Sequence, residues 1–248
     1  MASADFPRYF EAQYNQYTED IPLWLDLARE IRGPVLELGC GYGRVLRALA
    51  AAGIPAVGID RDPGMLARAS AQLSECFADM VSLHRADIRD FTLNRRFPLV
   101  ISPCNTFACL PDDDFQSAAA CAARHLLPGG RLVLALPFET SQAASLTGAS
   151  ELCGAFDDLE TGNPVQVSSE EHADPDATRV HVTWLYDELF PDGRVERTEV
   201  PLTYHLRGPE VLSQLLSAAG YLAIEFYADY RRRAYHGGSN RIIACASR

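Results

Sequence analysis

Between Val35 and Ala69 the chain reads VLELGCGYGRVLRALAAAGIPAVGIDRDPGMLARA: an apolar run ends in glycines at alternate positions and passes straight into a helical pattern. Gly39, Gly41 and Gly43 restrict the fold more than any other feature. A strand, a side-chain-free turn and an amphipathic helix open a βαβ unit, because missing Cβ atoms let the main chain turn sharply and approach a ligand closely. The pattern continues downstream. Apolar segments at Val35–Leu38, Ala56–Ile59, Ser82–His84, Leu99–Ser102 and Leu132–Leu136 alternate with amphipathic stretches at Arg44–Ala52, Pro63–Phe77 and Asp112–Leu127, the form of parallel strands joined by crossover helices. Pro63 and Asp112 supply helix-start chemistry, and the PGG at 128–130 a firm stop. Ahead of these, Asp20 to Ile31 reads as a helix with Leu23, Trp24, Leu27 and Ile31 on one side.

After Pro137 the period changes. Val165–Ser169, Thr178–Phe190 and Val195–Leu206 are rich in β-formers, and FPDGRV carries the Asp-Gly signal of a hairpin turn. A helix at Pro209–Ala219 and strands at Tyr221–Tyr227 and Arg241–Ala246 close the chain. The expected fold is α/β: a Rossmann-like, seven-stranded, mostly parallel sheet with helices on both faces and an antiparallel β insertion after the fifth strand.

Composition narrows the chemistry. A chain of 248 residues that is 48% hydrophobic can bury a full core, and its net charge of −11 repels a phosphate backbone, so nucleic acid is not an expected partner. All 22 basic residues are arginine, which excludes Schiff-base chemistry and lysine-anchored pyridoxal phosphate. Seven cysteines, odd in number and nowhere spaced as CxxC, read as reduced, with no metal implied. The opening MASADFPRYFEAQYNQYTED has neither signal-peptide nor transit-peptide character, and no apolar run approaches the roughly 20 residues that span a bilayer. A cytoplasmic location without membrane contact is expected.

A dinucleotide fingerprint would place its third glycine at 44 or 46, where Arg44 and Leu46 stand. The chain instead carries acid-x-G-x-G-x-G, with Asp60 ending the second strand 17 residues after Gly43. An acid there is placed to accept hydrogen bonds from both ribose hydroxyls of an adenosyl ligand. With ELGCGYGR, VGIDRDPGMLARA and ADIRDF in that order, the chain resembles the class I S-adenosylmethionine-dependent methyltransferases, closely from Val35 to about Leu136 and loosely over the last two strands.

The resemblance implies S-adenosylmethionine as cofactor. Glu37 and the backbone of Gly39, Cys40, Gly41 and Gly43 would surround its methionine portion, and Asp60 would hold the ribose. Arg61 and Met65 would flank the adenine, Asp87 accept from its exocyclic amine and the Ile88 amide donate to a ring nitrogen. Cys104 and Asn105, at the end of VISPCNTF, fall where the fourth strand opens on the reactive methyl. Tyr14, with Tyr9, Phe10 and Tyr17, reads as an aromatic lid or as packing on the sheet edge. On the acceptor side His205 is the candidate, beside Tyr204, His181, Tyr235 and His236. The domains would be a helical lid at 1–34, a cofactor-binding core at 35–137, the insertion at 138–206 and a return to the core at 207–248.

The implied reaction is methyl transfer to a nitrogen or oxygen of a small metabolite, achieved mainly by positioning. SPCN at the fourth strand lacks the Asn/Asp-Pro-Pro-Tyr/Phe pattern for planar nitrogens, and LPDDDF at 110–115 reads as a charged helix start, not as paired magnesium ligands. The insertion resembles that of small-molecule methyltransferases, including N-methyltransferases of amino sugars, in which it roofs the acceptor pocket or joins a homodimer. Two other readings stand: an enzyme of the same fold that cyclises or cleaves the aminocarboxypropyl arm, and a non-catalytic cofactor-binding regulator. Arg231–Arg233 would bind an acidic substrate group or pair with local acids.

Overall fold

The computed structural model describes residues 5–73, 77–137, 147–239 and 241–248. The chain divides into two compact units, Thr18–Glu139 with Arg207–Arg248 (the core unit) and Met1–Tyr17 with Thr140–Leu206 (the insertion unit).

In the core unit, β1 (Val35–Leu38), β2 (Ala56–Asp60), β3 (Val81–Arg85), β4 (Phe97–Ser102) and β5 (Leu126–Pro137) run parallel, and β10 (Ala223–Tyr227) and β11 (Arg241–Ser247) complete a seven-stranded sheet in the order β10-β11-β5-β4-β1-β2-β3. Only β11 is antiparallel to its neighbours β5 and β10. The expected mostly parallel α/β sheet is therefore what the chain forms. Its inner strands, such as β1 and β4, are apolar on both sides because both faces are covered, whereas the edge strands β3 and β10 are largely exposed. On one face Val35, Leu99, Ile101 and Val133 pack with Leu23, Trp24 and Leu27 of α2 (Ile21–Ile31), Leu46 and Leu49 of α3 (Arg44–Ala51) and Ala69 of α4 (Pro63–Leu73). The alternate set, including Leu36, Val100 and Leu134, is equally buried. So are the inner residues of α5 (Asp112–Arg124) and α6 (Pro209–Ala218), such as Phe115, Leu212 and Leu216.

Strand order reverses between β1 and β4, and the carboxyl ends of these two strands form the switch point at which open α/β sheets bind ligands. The Ser102 hydroxyl donates to the Leu38 carbonyl at 2.9 Å and ties the two ends together.

Some elements differ from expectation. The PGG at 128–130 does not separate helix from strand: α5 stops at Arg124, and β5 starts at Leu126, which pairs with Phe97 before the register shifts so that Arg131 meets Leu99. The glycines make a bulge inside the strand. The expected helix Pro63–Phe77 ends at Leu73, with residues 74–76 outside the described set, and β10 begins at Ala223 instead of Tyr221.

The insertion unit is a meander of β6 (Thr147–Asp157), β7 (Pro164–Ala173), β8 (Arg179–Leu189) and β9 (Val195–His205), antiparallel throughout. Strand β6 was not anticipated, because ELCGAF lacks alternation and lies exposed on the sheet edge. The first helix, α1 (Phe6–Tyr14), belongs to this unit, so the segment 1–34 expected as one lid is divided after Tyr17. Tyr9 of α1 is buried with Val165, Val167, Tyr186 and Val200 and stacks on Tyr186 at 5.2 Å between centroids.

A buried acid fixes this docking. Glu188 accepts from the Tyr9 hydroxyl at 2.7 Å, the Arg8 guanidinium at 3.0 Å, the Thr161 hydroxyl at 2.7 Å and the Asn163 amide at 2.8 Å. Burial alone would raise its pKa, but these donors and the Arg8 charge hold it below the ordinary carboxylate range. Its stabilising contribution is therefore fully present above the unfolded carboxylate pKa and is lost as pH falls through the depressed value. Replacing Glu188 by Ala is expected to cost about 1–3 kcal/mol, since the Tyr9, Thr161 and Asn163 donors would lose their acceptor while Arg8 keeps its longer contacts to Asp158 and Asp5. Denaturant unfolding checks this; a loss below about 1 kcal/mol would mean that the network contributes little.

Candidate functional site

Three left-handed glycines follow β1, with φ of +72° at Gly39, +52° at Gly41 and +84° at Gly43. A Cβ at Gly39 would lie 2.5 Å from Thr106 Cγ2, and one at Gly43 would lie 3.2 Å from Ala69 Cβ, so these two glycines serve packing as well as the turn. Gly41 is different. The nearest atom to its added Cβ is Met65 Sδ at 3.9 Å, so the backbone needs glycine while the space beside it stays open.

Asp60 anchors this turn from the end of β2. Its Oδ2 accepts the Gly41 amide at 2.8 Å and its Oδ1 the Asp62 amide at 2.9 Å. Both carboxylate oxygens thus hold backbone donors, with the Arg61 amide as a third, and acceptor capacity remains for a pair of neighbouring hydroxyls. Burial pushes the Asp60 carboxyl up, and the Asp62 and Gly41 amides oppose that shift.

Glu37, inside β1, is 3% exposed, and its Oε2 has no hydrogen-bond partner among the described residues. Desolvation pushes its pKa well up against the pull of the nearby Arg44 charge. A buried carboxylate oxygen without a donor is costly, and a cation arriving beside Gly41 would relieve the cost.

The fourth strand supplies the other wall. Cys104 and Asn105 both have left-handed backbone, φ +54° and +62°, before a 3-10 turn at Thr106–Cys109. Such geometry costs of order 1 kcal/mol per non-glycine residue and persists where its surroundings enforce it. Asn105 Oδ1 is buried with no partner among the described residues. Surrounding protein pushes the Cys104 thiol up although part of the residue faces solvent. Cys40, buried beside Gly58, has its thiol pushed well up by desolvation, unlike a reactive cysteine.

Beyond β3, Asp87 is held by Arg89 through Nη2 at 2.6 Å and Nε at 3.0 Å, which keeps its carboxyl below the ordinary range. Ile88 and Met65 are buried, and Arg61 is exposed. The Arg61 charge works against the burial that pushes the Cys109 thiol up to about 11. The residues expected on the cofactor side thus sit after the parallel strands of the core unit, together with Asn105. Tyr14 and His205 lie in the insertion unit: the Tyr14 ring contacts Phe10 at 4.6 Å and Tyr17 edge-on at 6.4 Å, and His205 ends β9 opposite Arg179. Arg232 forks onto Glu30 and Arg233 pairs with Asp229, so local acids absorb two arginines of the 231–233 run.

Sequence reasoning missed one group. Arg44, buried at the start of α3, donates to both oxygens of Asp20 at 2.6 and 2.7 Å and to the Cys104 sulfur at 3.1 Å. Asp20 is fully buried and also accepts the Trp24 indole N–H at 2.9 Å. The one available signal was an arginine set among apolar helix positions directly after the third glycine. Among the described residues no cluster of His, Cys, Asp or Glu could hold a metal ion, and no helix is long and apolar enough to cross a membrane.

Comparison with known proteins agrees with this geometry. The model of a methyltransferase domain matches residues 35–130. A dTDP-3-amino-3,4,6-trideoxy-alpha-D-glucopyranose N,N-dimethyltransferase from Streptomyces venezuelae is 31% identical over 101 residues, 40% of each chain. A dTDP-3-amino-3,6-dideoxy-alpha-D-glucopyranose N,N-dimethyltransferase from Streptomyces fradiae is 29% identical over 196 residues, 77% of this chain and 71% of that protein. The match therefore spans well under half of the first relative and somewhat over two thirds of the second. Among solved structures, an S-adenosylmethionine-dependent methyltransferase from Clostridium acetobutylicum superposes with a TM-score of 0.77 at 16% identity, covering 98% of this chain and 97% of that one. Residues 35–130 thus match a methyltransferase domain, in a chain that shares the fold of a solved S-adenosylmethionine-dependent methyltransferase.

Proposed function

We propose that the protein transfers a methyl group from S-adenosylmethionine to the amine of a small metabolite of the amino-sugar class. Two observations carry the cofactor side: the unpartnered, buried Glu37 oxygen in the strand that leads into the glycine turn, and the open space at Gly41. Glu37 would receive the cofactor's ammonium, the Gly41 backbone would let its chain pass, and Asp60 would accept from the ribose hydroxyls. Met65 and Ile88 offer apolar surface to the adenine, with Arg61 beside them, and Asp87 accepts from its amine while fixed by Arg89. Bound S-adenosylmethionine supplies a methyl group already made electrophilic by a positively charged sulfur.

The chain's own residues then have to hold an unprotonated nitrogen in line and keep water away. Asn105 Oδ1, buried and lacking a donor, would accept an N–H of the acceptor and so aim the nitrogen lone pair. The amine class is supported by the two Streptomyces relatives, whose names specify N,N-dimethylation of amino sugars. Tyr14 and His205 enter as acceptor-side groups on the family resemblance.

Three results are expected. Asp60→Ala weakens S-adenosylmethionine binding by about 1–3 kcal/mol, the worth of a charged hydrogen bond; unchanged affinity by calorimetry would refute the ribose assignment. Burial favours the protonated form of Glu37 and a ligand ammonium favours the ionised form, so binding is coupled to proton release and affinity falls as pH drops through the range in which Glu37 titrates. Calorimetry in buffers of different ionisation enthalpy reads that proton; Glu37→Gln should abolish it and weaken binding. The same substitution should stabilise the ligand-free protein at alkaline pH. The reason is that a raised carboxyl pKa contributes stability below the unfolded value and loses it as pH rises through the folded one. Tyr14→Phe should lower kcat/KM with a dTDP-amino sugar, and wild-type kinetics would return Tyr14 to the aromatic cluster with Phe10 and Tyr17.

A further inference from the structure

The Asp20–Arg44 pair is expensive. Both groups are buried, and Arg44 places its cation at the first turn of α3, the end where the helix dipole disfavours positive charge. Well-packed apolar residues in such a place are often as stable as the ion pair or more so, so fold stability alone does not account for it. The surroundings suggest what does. One guanidinium nitrogen reaches two places: the Asp20 carboxylate at 2.7 Å and the sulfur of Cys104, the first of two left-handed residues on the fourth-strand wall, at 3.1 Å. The same cation is the positive charge acting on Glu37.

We propose that Arg44, held by its fork to Asp20, is a positioning residue for both walls of the crevice: it fixes the Cys104–Asn105 turn through the Cys104 sulfur and supplies the charge that lets Glu37 ionise when the cofactor arrives. Asp20 and Trp24 belong to the segment before β1, so that segment contributes to cofactor capture by aiming Arg44. Each donor has a defined place. The Trp24 indole N–H and one Arg44 nitrogen converge on Asp20 Oδ2, and the second Arg44 nitrogen takes Oδ1. This arrangement pins the planar fork at a fixed height beneath the Cys104 turn. The charged and titratable groups acting on Glu37 are Arg44 from α3, Asp20 from before α2, Asp60 from β2, and the thiols of Cys40 and Cys104. Of these Arg44 is the one cation.

This inference rests on the S-adenosylmethionine reading, and the test separates the two. Binding of S-adenosylmethionine and S-adenosylhomocysteine to the full-length protein would be measured by calorimetry from pH 6 to pH 9, with melting temperatures taken alongside. Two variants are needed: Arg44→Lys, which keeps the cation and loses the fork, and the charge-balanced double substitution Asp20→Asn with Arg44→Met. The lysine variant should bind several-fold more weakly with the pH profile of the wild type. The double variant should lose about tenfold or more at pH 7, the equivalent of one pH unit of proton competition, with its profile displaced to higher pH. A folded double variant whose profile superimposes on the wild type would overturn the proposal even if its affinity fell, because a merely structural role weakens binding without moving the titration. If the double variant does not fold, Asp20→Asn with Arg44→Gln, which keeps hydrogen-bonding groups at both positions and removes both charges, takes its place: a profile displaced to higher pH upholds the proposal, and one that superimposes on the wild type overturns it. Failure of the wild type to bind either nucleoside would instead remove the cofactor reading itself.

Discussion

One hydrogen bond organises the crevice: the Gly41 amide donating to Asp60 Oδ2 across the ends of β1 and β2. It forms only because Gly39, Gly41 and Gly43 take left-handed backbone in turn, bringing the middle amide round to face the second strand. Side chains of the other elements close in on this turn. Thr106 fills the place of a Gly39 side chain and Ala69 that of a Gly43 side chain, so the fourth-strand wall and α4 are both seated against backbone. The open space at Gly41 is what remains after that packing. A site for a nucleoside is here the residue of a close-packed turn, not a hollow cut into the protein.

Most of this was legible in the sequence because it is local. Strand, glycines, helix and the acid 17 residues after Gly43 lie within one βαβ unit, where spacing along the chain translates directly into spacing across two strands. The seven strands of the main sheet were readable for the same reason, from apolar runs bounded by turn residues. What failed was not local. The PGG reads as a stop from its composition, yet Leu126 is buried and pairs with Phe97, and burial of that leucine outweighs the turn preference of the glycines after it. Strand β6 carries little pattern because most of its side chains are exposed on the sheet edge and only Phe156 near its end packs on the cluster around Tyr9. The division after Tyr17 depends on Tyr9 and Arg8 meeting Glu188, 179 and 180 positions away, and no periodicity within α1 encodes that partner.

Arg44 shows the same limit inside the site. Its identity breaks the dinucleotide fingerprint, which is how the sequence used it; its function depends on an acid 24 residues upstream and a sulfur 60 residues downstream. Charge pairing across such separations is decided by which groups are buried together, and burial is a property of the assembled sheet. Substituting for Arg44 therefore disturbs the segment before β1 and the end of β4 at once, through contacts that a linear motif cannot display.

Two buried glutamates differ in how completely their charge is met. Glu188 is 1% exposed and Glu37 is 3% exposed, so desolvation opposes ionisation in both. Around Glu188 four side-chain donors use both oxygens, and the carboxyl is held below its ordinary range. Around Glu37 one oxygen is left without a donor, and the carboxyl is driven well above that range. The fold has the means to satisfy a buried carboxylate completely, as it does where α1 docks on the insertion sheet. Leaving Glu37 incomplete, in the strand that leads into the glycine turn and under the charge of Arg44 committed to Asp20, keeps a destabilised oxygen in reserve. On the proposed reading a positively charged ligand would satisfy it, and the free energy withheld from folding would then become available to binding.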